Sequence, residues 1–93
     1  MNLNDVKEAI MLDGSKRAKR AEWEKDHWLC FAEGVDSIPT DNIWNQHTKE
    51  QSREMGGYMS LAPYFIYCHG NHIFYGIDAM RKEHKDATDW EVF

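Results

Sequence analysis

Residues 63–77 (PYFIYCHGNHIFYGI) constrain the fold more than any other stretch of the chain. Two runs of aromatic and β-branched residues flank Gly70-Asn71, a pattern that predicts a β-hairpin with a tight turn. Side chains alternate along a strand, so Tyr64, Ile66 and Cys68 share one face and Phe65, Tyr67 and His69 the other. On the return run Ile73, Tyr75 and Ile77 lie opposite in parity to Phe74. Both faces are therefore apolar or aromatic, whereas an antiparallel sheet with one wet face alternates apolar with polar. One face can take a helix from the same chain. The other asks for a partner subunit.

The helix is expected over residues 4–13, with Asn4 as N-cap, Asp5 in the first turn and Gly14 just past the end. Leu3, Val6, Ile10 and Met11 make its apolar stripe. Further strands are expected at 17–22, polar and basic, and at 27–32, apolar on both faces, with Trp23 at the corner between them. Residues 35–40 (VDSIPT) read as loop, because Pro39 has no N–H for a ladder. Residues 40–57 read as a mostly exposed helix, capped by Thr40 or Asp41 and running to about Glu54, or as a partly ordered insertion, with Ile43 and Trp44 as anchors. A short helix capped by Asp78, with Met80 turned inward, and a strand over 89–93 close the chain. The expected architecture is α+β: a small antiparallel sheet, a short N-terminal helix on one face, and a second face buried in a homo-oligomer. Residues 1–93 form one domain on this reading, with 40–57 a polar insertion.

A chain of 93 residues buries only about 60–65% of its unfolded surface, and association is a usual remedy for so small a core. The twelve aromatic residues argue against disorder. A net charge of −5 excludes broad nucleic-acid binding, which needs a basic face. The opening MNLNDVKEAI lacks the apolar core of a secretory signal, and no apolar run is long enough to span a bilayer. Cys30 and Cys68 are expected as reduced thiols in strands.

Catalytic and metal-binding patterns are weak. Cys68, His69 and His72 lack the paired spacing of a tetrahedral metal site. His27 and His69 are near Cys30 and Cys68 in sequence, but sequence closeness is not closeness in the fold, and no catalytic signature surrounds either cysteine. Glu22, Glu24 and Asp26 fit a solvated turn better than an acid–base pair. No enzyme is expected, and no cofactor. Binding fits better: an indole supplies a stacking face and arginine a fork of donors for phosphate. Trp23 beside Arg20 suits a flat anionic ligand, and equally suits a core anchor with a charged rim.

The order of segments adds a resemblance. A short helix ending at Gly14 is followed by Arg20-Ala21-Glu22-Trp23, an apolar strand opening on Trp28-Leu29, a Tyr-rich hairpin, and a terminal Asp89-Trp90-Glu91-Val92-Phe93. This resembles the phage Thoeris anti-defence proteins of the second type, a family that includes a phage inhibitor of Cas9. Glu22 and Glu24 stand where that family carries small or neutral residues. The resemblance implies a sponge that binds a cyclic ADP-ribose isomer in the cytoplasm of the infected bacterium without cleaving it. It implies a homotetramer with pockets at subunit interfaces; from charge and hydropathy, no membrane or nucleic-acid partner is expected. Arg20 and Trp23 match the family's Arg and Trp by position: on this reading Trp23 would stack the base and Arg20 would hold the pyrophosphate, with Tyr75 and Trp90 expected to line the walls. Asp89 matches the terminal pair, and Asp78 is a candidate partner for a ribose hydroxyl. The alternative function is protein–protein inhibition of a defence enzyme such as Cas9.

Overall fold

The computed structural model describes all 93 residues. They form two compact units, one from Met1–Ala32 with Tyr64–Phe93 and one from Glu33–Pro63. The larger unit holds helix α1 (Leu3–Leu12), strands β1 (Arg17–Arg20) and β2 (His27–Ala32), and the later elements β5 (Tyr64–His69), β6 (His72–Tyr75), α3 (Lys82–Lys85) and β7 (Trp90–Val92). Its five strands make one antiparallel sheet in the order β6-β5-β2-β1-β7. The fold is α+β, with the N-terminal helix on one face of the sheet.

α1 begins two residues earlier than its asparagine pattern suggests. The N-cap is Asn2: its side-chain oxygen accepts from the Asp5 N–H at 2.8 Å, and the Asp5 carboxylate accepts from the Asn2 N–H at 3.4 Å. This reciprocal box needs an acceptor three residues past the cap. Asn2 has Asp5 there, whereas Asn4 would have Lys7, which only donates. Leu3, Val6 and Ile10 are buried, and Met11 is half exposed instead of completing the stripe. The helix closes over Ala18, Leu29 and Trp90 in one apolar cluster.

Register assigns the faces. Leu29 stands opposite both Ala18 and Tyr67, Phe31 opposite Phe65, and Tyr67 opposite Phe74. These residues line the covered side. Trp28, Cys30, Ile66, Cys68, Ile73 and Tyr75 follow one another across the same strands on the second side. There Ile73 and Tyr75 are 62% and 76% exposed, and the Arg17 guanidinium lies 5.2 Å from the Trp28 ring centroid. The hairpin turn at Gly70-Asn71 is as expected, with Gly70 at φ 63°.

The smaller unit corrects two expectations. Residues 35–39 are a strand, β3 (Val35–Pro39), paired antiparallel with β4 (Tyr58–Leu61). Pro39 sits at the strand's end, where a missing donor costs least. The helix α2 is shorter than expected, Gln46–Glu54, and is capped by Asn45, whose side chain accepts from the N–H groups of His47 and Thr48. Thr40 and Asp41 instead belong to a single 3-10 turn, and the Thr40 hydroxyl bonds that of Ser52 at 2.6 Å. Asp78 likewise caps no helix. α3 starts after Arg81, although Met80 is buried as expected.

Gly34 is the most closely approached glycine of the smaller unit. A Cβ there would run into the Leu61 carbonyl oxygen and lie 2.9 Å from the Ala62 carbonyl carbon. Neither backbone atom can step aside without parting β3 from β4. Gly34→Ala is expected to destabilise this unit by about 1–3 kcal/mol. Hydrogen exchange should show faster exchange at β3 and β4 amides and unchanged protection in β2 and β5. Unchanged protection at all four strands would contradict it.

Candidate functional site

Four of the six residues singled out from the sequence come together at one end of the larger sheet. Arg20 ends β1 and stands opposite Trp90 in the ladder with β7. Asp89 immediately precedes β7, and Trp23 follows β1 through a tight turn in which its N–H donates to the Arg20 carbonyl at 3.0 Å. The Arg20 guanidinium donates to both Asp89 carboxylate oxygens, at 2.9 and 3.4 Å, and pairs with Glu22 at 3.2 Å. Arg20 holds the Asp89 carboxyl below the usual carboxylate range. Glu22 is thus drawn onto Arg20.

Trp23 and Trp90 are core residues, 7% and 2% exposed. Their rings meet edge to face at 4.9 Å. The Trp90 indole N–H donates to the His84 carbonyl at 2.8 Å, while the Trp23 indole N–H is buried without a partner. The remaining two candidates lie elsewhere. Tyr75 is on the second face of the sheet against Tyr64, and Asp78 is exposed in the turn after β6.

The sequence reading missed a histidine cluster at the same end of the sheet. His27 opens β2 and stands opposite His69, the last residue of β5. Their rings stack at 4.0 Å, and Trp23 stacks on His27 at 3.5 Å, so three flat rings form one column. His84, from α3, meets His27 edge-on at 5.7 Å. The column borders a half-open cleft of about 260 Å³ lined by His27, Tyr67, His69, Phe74, Arg81 and His84, with Ala79.

The imidazoles are held in defined states. His27 Nε2 bonds the Tyr67 hydroxyl at 2.6 Å. Burial, then the neighbouring His69 and His84, push its pKa down to about 4. His84 is also lowered, by burial and then by Arg20. Its Nδ1 lies 2.9 Å from Arg20 Nη1. A guanidinium nitrogen only donates, so Nδ1 is the acceptor and the ring hydrogen sits on Nε2. Asp89 therefore orients Arg20, and Arg20 fixes the His84 tautomer. Arg81 supplies a cation on an 82% exposed side chain, tied only to Glu83 at 3.6 Å. Chemically the cleft offers flat aromatic walls, N–H donors and one exposed guanidinium.

No family model matches the chain, and no curated protein matches it.

The smaller unit carries its own features. Ile43 lines an apolar hollow of about 200 Å³ with Ile38, Met59 and Leu61. Trp44, expected as an anchor beside it, is 97% exposed. No helix is long and apolar enough to cross a membrane.

Proposed function

We propose that the protein is a phage-encoded anti-defence protein that sequesters a cyclic nucleotide immune signal, a cyclic ADP-ribose isomer, without cleaving it. The half-open cleft bounded by stacked rings and an exposed guanidinium is the observation that supports this reading best. A base needs a flat π surface, and a pyrophosphate needs N–H donors and a cation. The cleft joins these at the same end of the sheet as Arg20, Trp23, Asp89 and Trp90. On this reading Arg20 and Trp23 support the cleft walls, through His84 and His27, and Arg81 takes the phosphate contact. Ile73 and Tyr75, apolar and exposed, favour a homo-oligomer, a tetramer in this proposal, with the second sheet face at the interface.

Calorimetric titration with cyclic ADP-ribose isomers and cyclic dinucleotides tests the proposal. Binding without chemical change of the recovered ligand is expected. No heat with any of them would overturn it. Arg81→Ala should weaken binding at least tenfold, or about 1.4 kcal/mol, with the thermal midpoint unmoved because the side chain is exposed. Unchanged affinity would remove Arg81 from the site.

The 97% exposed Trp44 favours a second reading, protein–protein inhibition of a defence enzyme such as Cas9. Exposed tryptophans are frequent interface anchors. A stoichiometric partner lost on Trp44→Ala, together with no nucleotide binding, would select it.

A further inference from the structure

We propose that the histidine cleft takes a phosphate-bearing ligand together with a proton, which lands on His27. The inference rests on reading the cleft as a nucleotide site and adds the charge chemistry by which it works.

Three imidazoles converge here, two stacked at 4.0 Å and the third 5.7 Å from His27. Rings this close oppose one another's protonation, and burial adds to the effect. Accordingly His27 is held neutral down to a pKa of about 4, and His84 is lowered as well. The empty cleft then presents one permanent cation, Arg81. An oxyanion reverses the balance, because a negative charge within a few ångström favours the imidazolium.

The hydrogen bonds decide where the proton goes. His84 cannot accept one at Nδ1 without losing Arg20, so it remains a neutral ring whose Nε2 donates. His27 has no such conflict. Its partner is a phenol, which donates to a neutral Nε2 and accepts from a protonated one. His69 stacks on the His27 ring and is itself exposed. The other charges facing the cluster are Asp26 beside His27, Glu22 and Glu83 near His84, and the cations Arg20 and Arg81. His72 stands opposite His69 in the ladder. Asp26 assists the proton, and the arginines oppose it.

The sign follows from linkage. A ligand that raises the pKa of His27 binds with proton uptake, so affinity rises as pH falls. One coupled proton limits the change to about tenfold per pH unit.

ADP-ribose is a suitable probe, because its pyrophosphate diester keeps a constant charge across neutral pH. Calorimetry of the intact chain from pH 6 to 8, in buffers of low and high ionisation heat, measures the protons taken up. Between half a proton and one proton per ADP-ribose is expected near pH 6.5, with affinity tightening toward acid. His27→Gln should bind more weakly and lose most of the uptake, and His84→Gln should bind more weakly and retain the uptake per ligand bound. Adenosine, which lacks phosphate, should show none. Binding with buffer-independent heat and affinity flat with pH would overturn the proton coupling and leave the nucleotide reading standing. Uptake lost in His84→Gln but kept in His27→Gln would overturn the assignment to His27. No ADP-ribose binding at any pH would overturn the proton coupling. Binding of cyclic nucleotides in the same buffers would then show that the nucleotide reading survives.

Discussion

Trp90→Ala is expected to destabilise the larger unit by about 3–5 kcal/mol. Trp90 is among the largest fully buried side chains, at 2% exposure, and it belongs to the cluster that α1 closes with Leu3, Val6 and Ile10. Truncation leaves a cavity the size of an indole and strips the His84 carbonyl of its donor. Small domains hold only about 5–15 kcal/mol in reserve, so the variant should be largely unfolded at 37 °C. Urea unfolding followed by far-ultraviolet circular dichroism measures the effect. Trp44→Ala is the internal control: at 97% exposure it should stay within about 0.5 kcal/mol of the parent. Equal midpoints for the two variants would refute the placement of Trp90 in the core.

Acid should produce the second large effect, through His27. The ring is 8% exposed and stacked between Trp23 and His69, with a folded pKa of about 4 against an ordinary 6.5. Between those values the unfolded chain binds more protons than the folded one. The contribution of neutral His27 is therefore complete above pH 6.5 and declines as pH falls toward 4. At 1.36 kcal/mol per pH unit the gap corresponds to about 3 kcal/mol, an upper bound because the ring can relax toward solvent. Asp89, held low by Arg20, adds its loss only at still lower pH. Wild type should thus lose roughly 2–3 kcal/mol between pH 7 and pH 4, and His27→Gln, which cannot titrate, distinctly less. Parallel stability curves for the two proteins would exclude His27 as the titrating group.

Elements whose signals lie within a few residues were legible in the sequence. Gly70-Asn71 between two aromatic runs marked the hairpin, and the apolar run 27–32 matched β2 residue for residue. Gathering Arg20, Trp23, Asp89 and Trp90 required only that the two ends of the chain meet, which the pairing of β1 with β7 achieves. Strand parity separated Tyr75 from that group. Tyr75 alternates with Phe74, and Phe74, not Tyr75, borders the cleft. The histidine cluster was beyond reach because it depends on register. His27 and His69 meet only because β2 and β5 pair with their outermost residues aligned. His84 is fixed by bonds to Arg20 and Trp90, which no local pattern encodes. β3 was hidden by its own composition, since Asp36, Ser37 and Pro39 give an exposed two-stranded ribbon few of the usual strand residues.

The smaller unit enters and leaves the larger one at neighbouring points. Ala32 and Tyr64 are partners at the ends of β2 and β5, so Glu33–Pro63 spans the gap between two hydrogen-bonded strands. Topologically it is a hairpin loop that has grown a hairpin and a helix of its own. Closing a loop becomes harder only slowly with length, by about 0.6 kcal/mol per doubling. A sheet built this way tolerates replacement, shortening or elaboration of that loop at little thermodynamic cost. The cleft, built wholly from residues of the sheet and its C-terminal segment, can thus stay constant while the inserted surface diversifies.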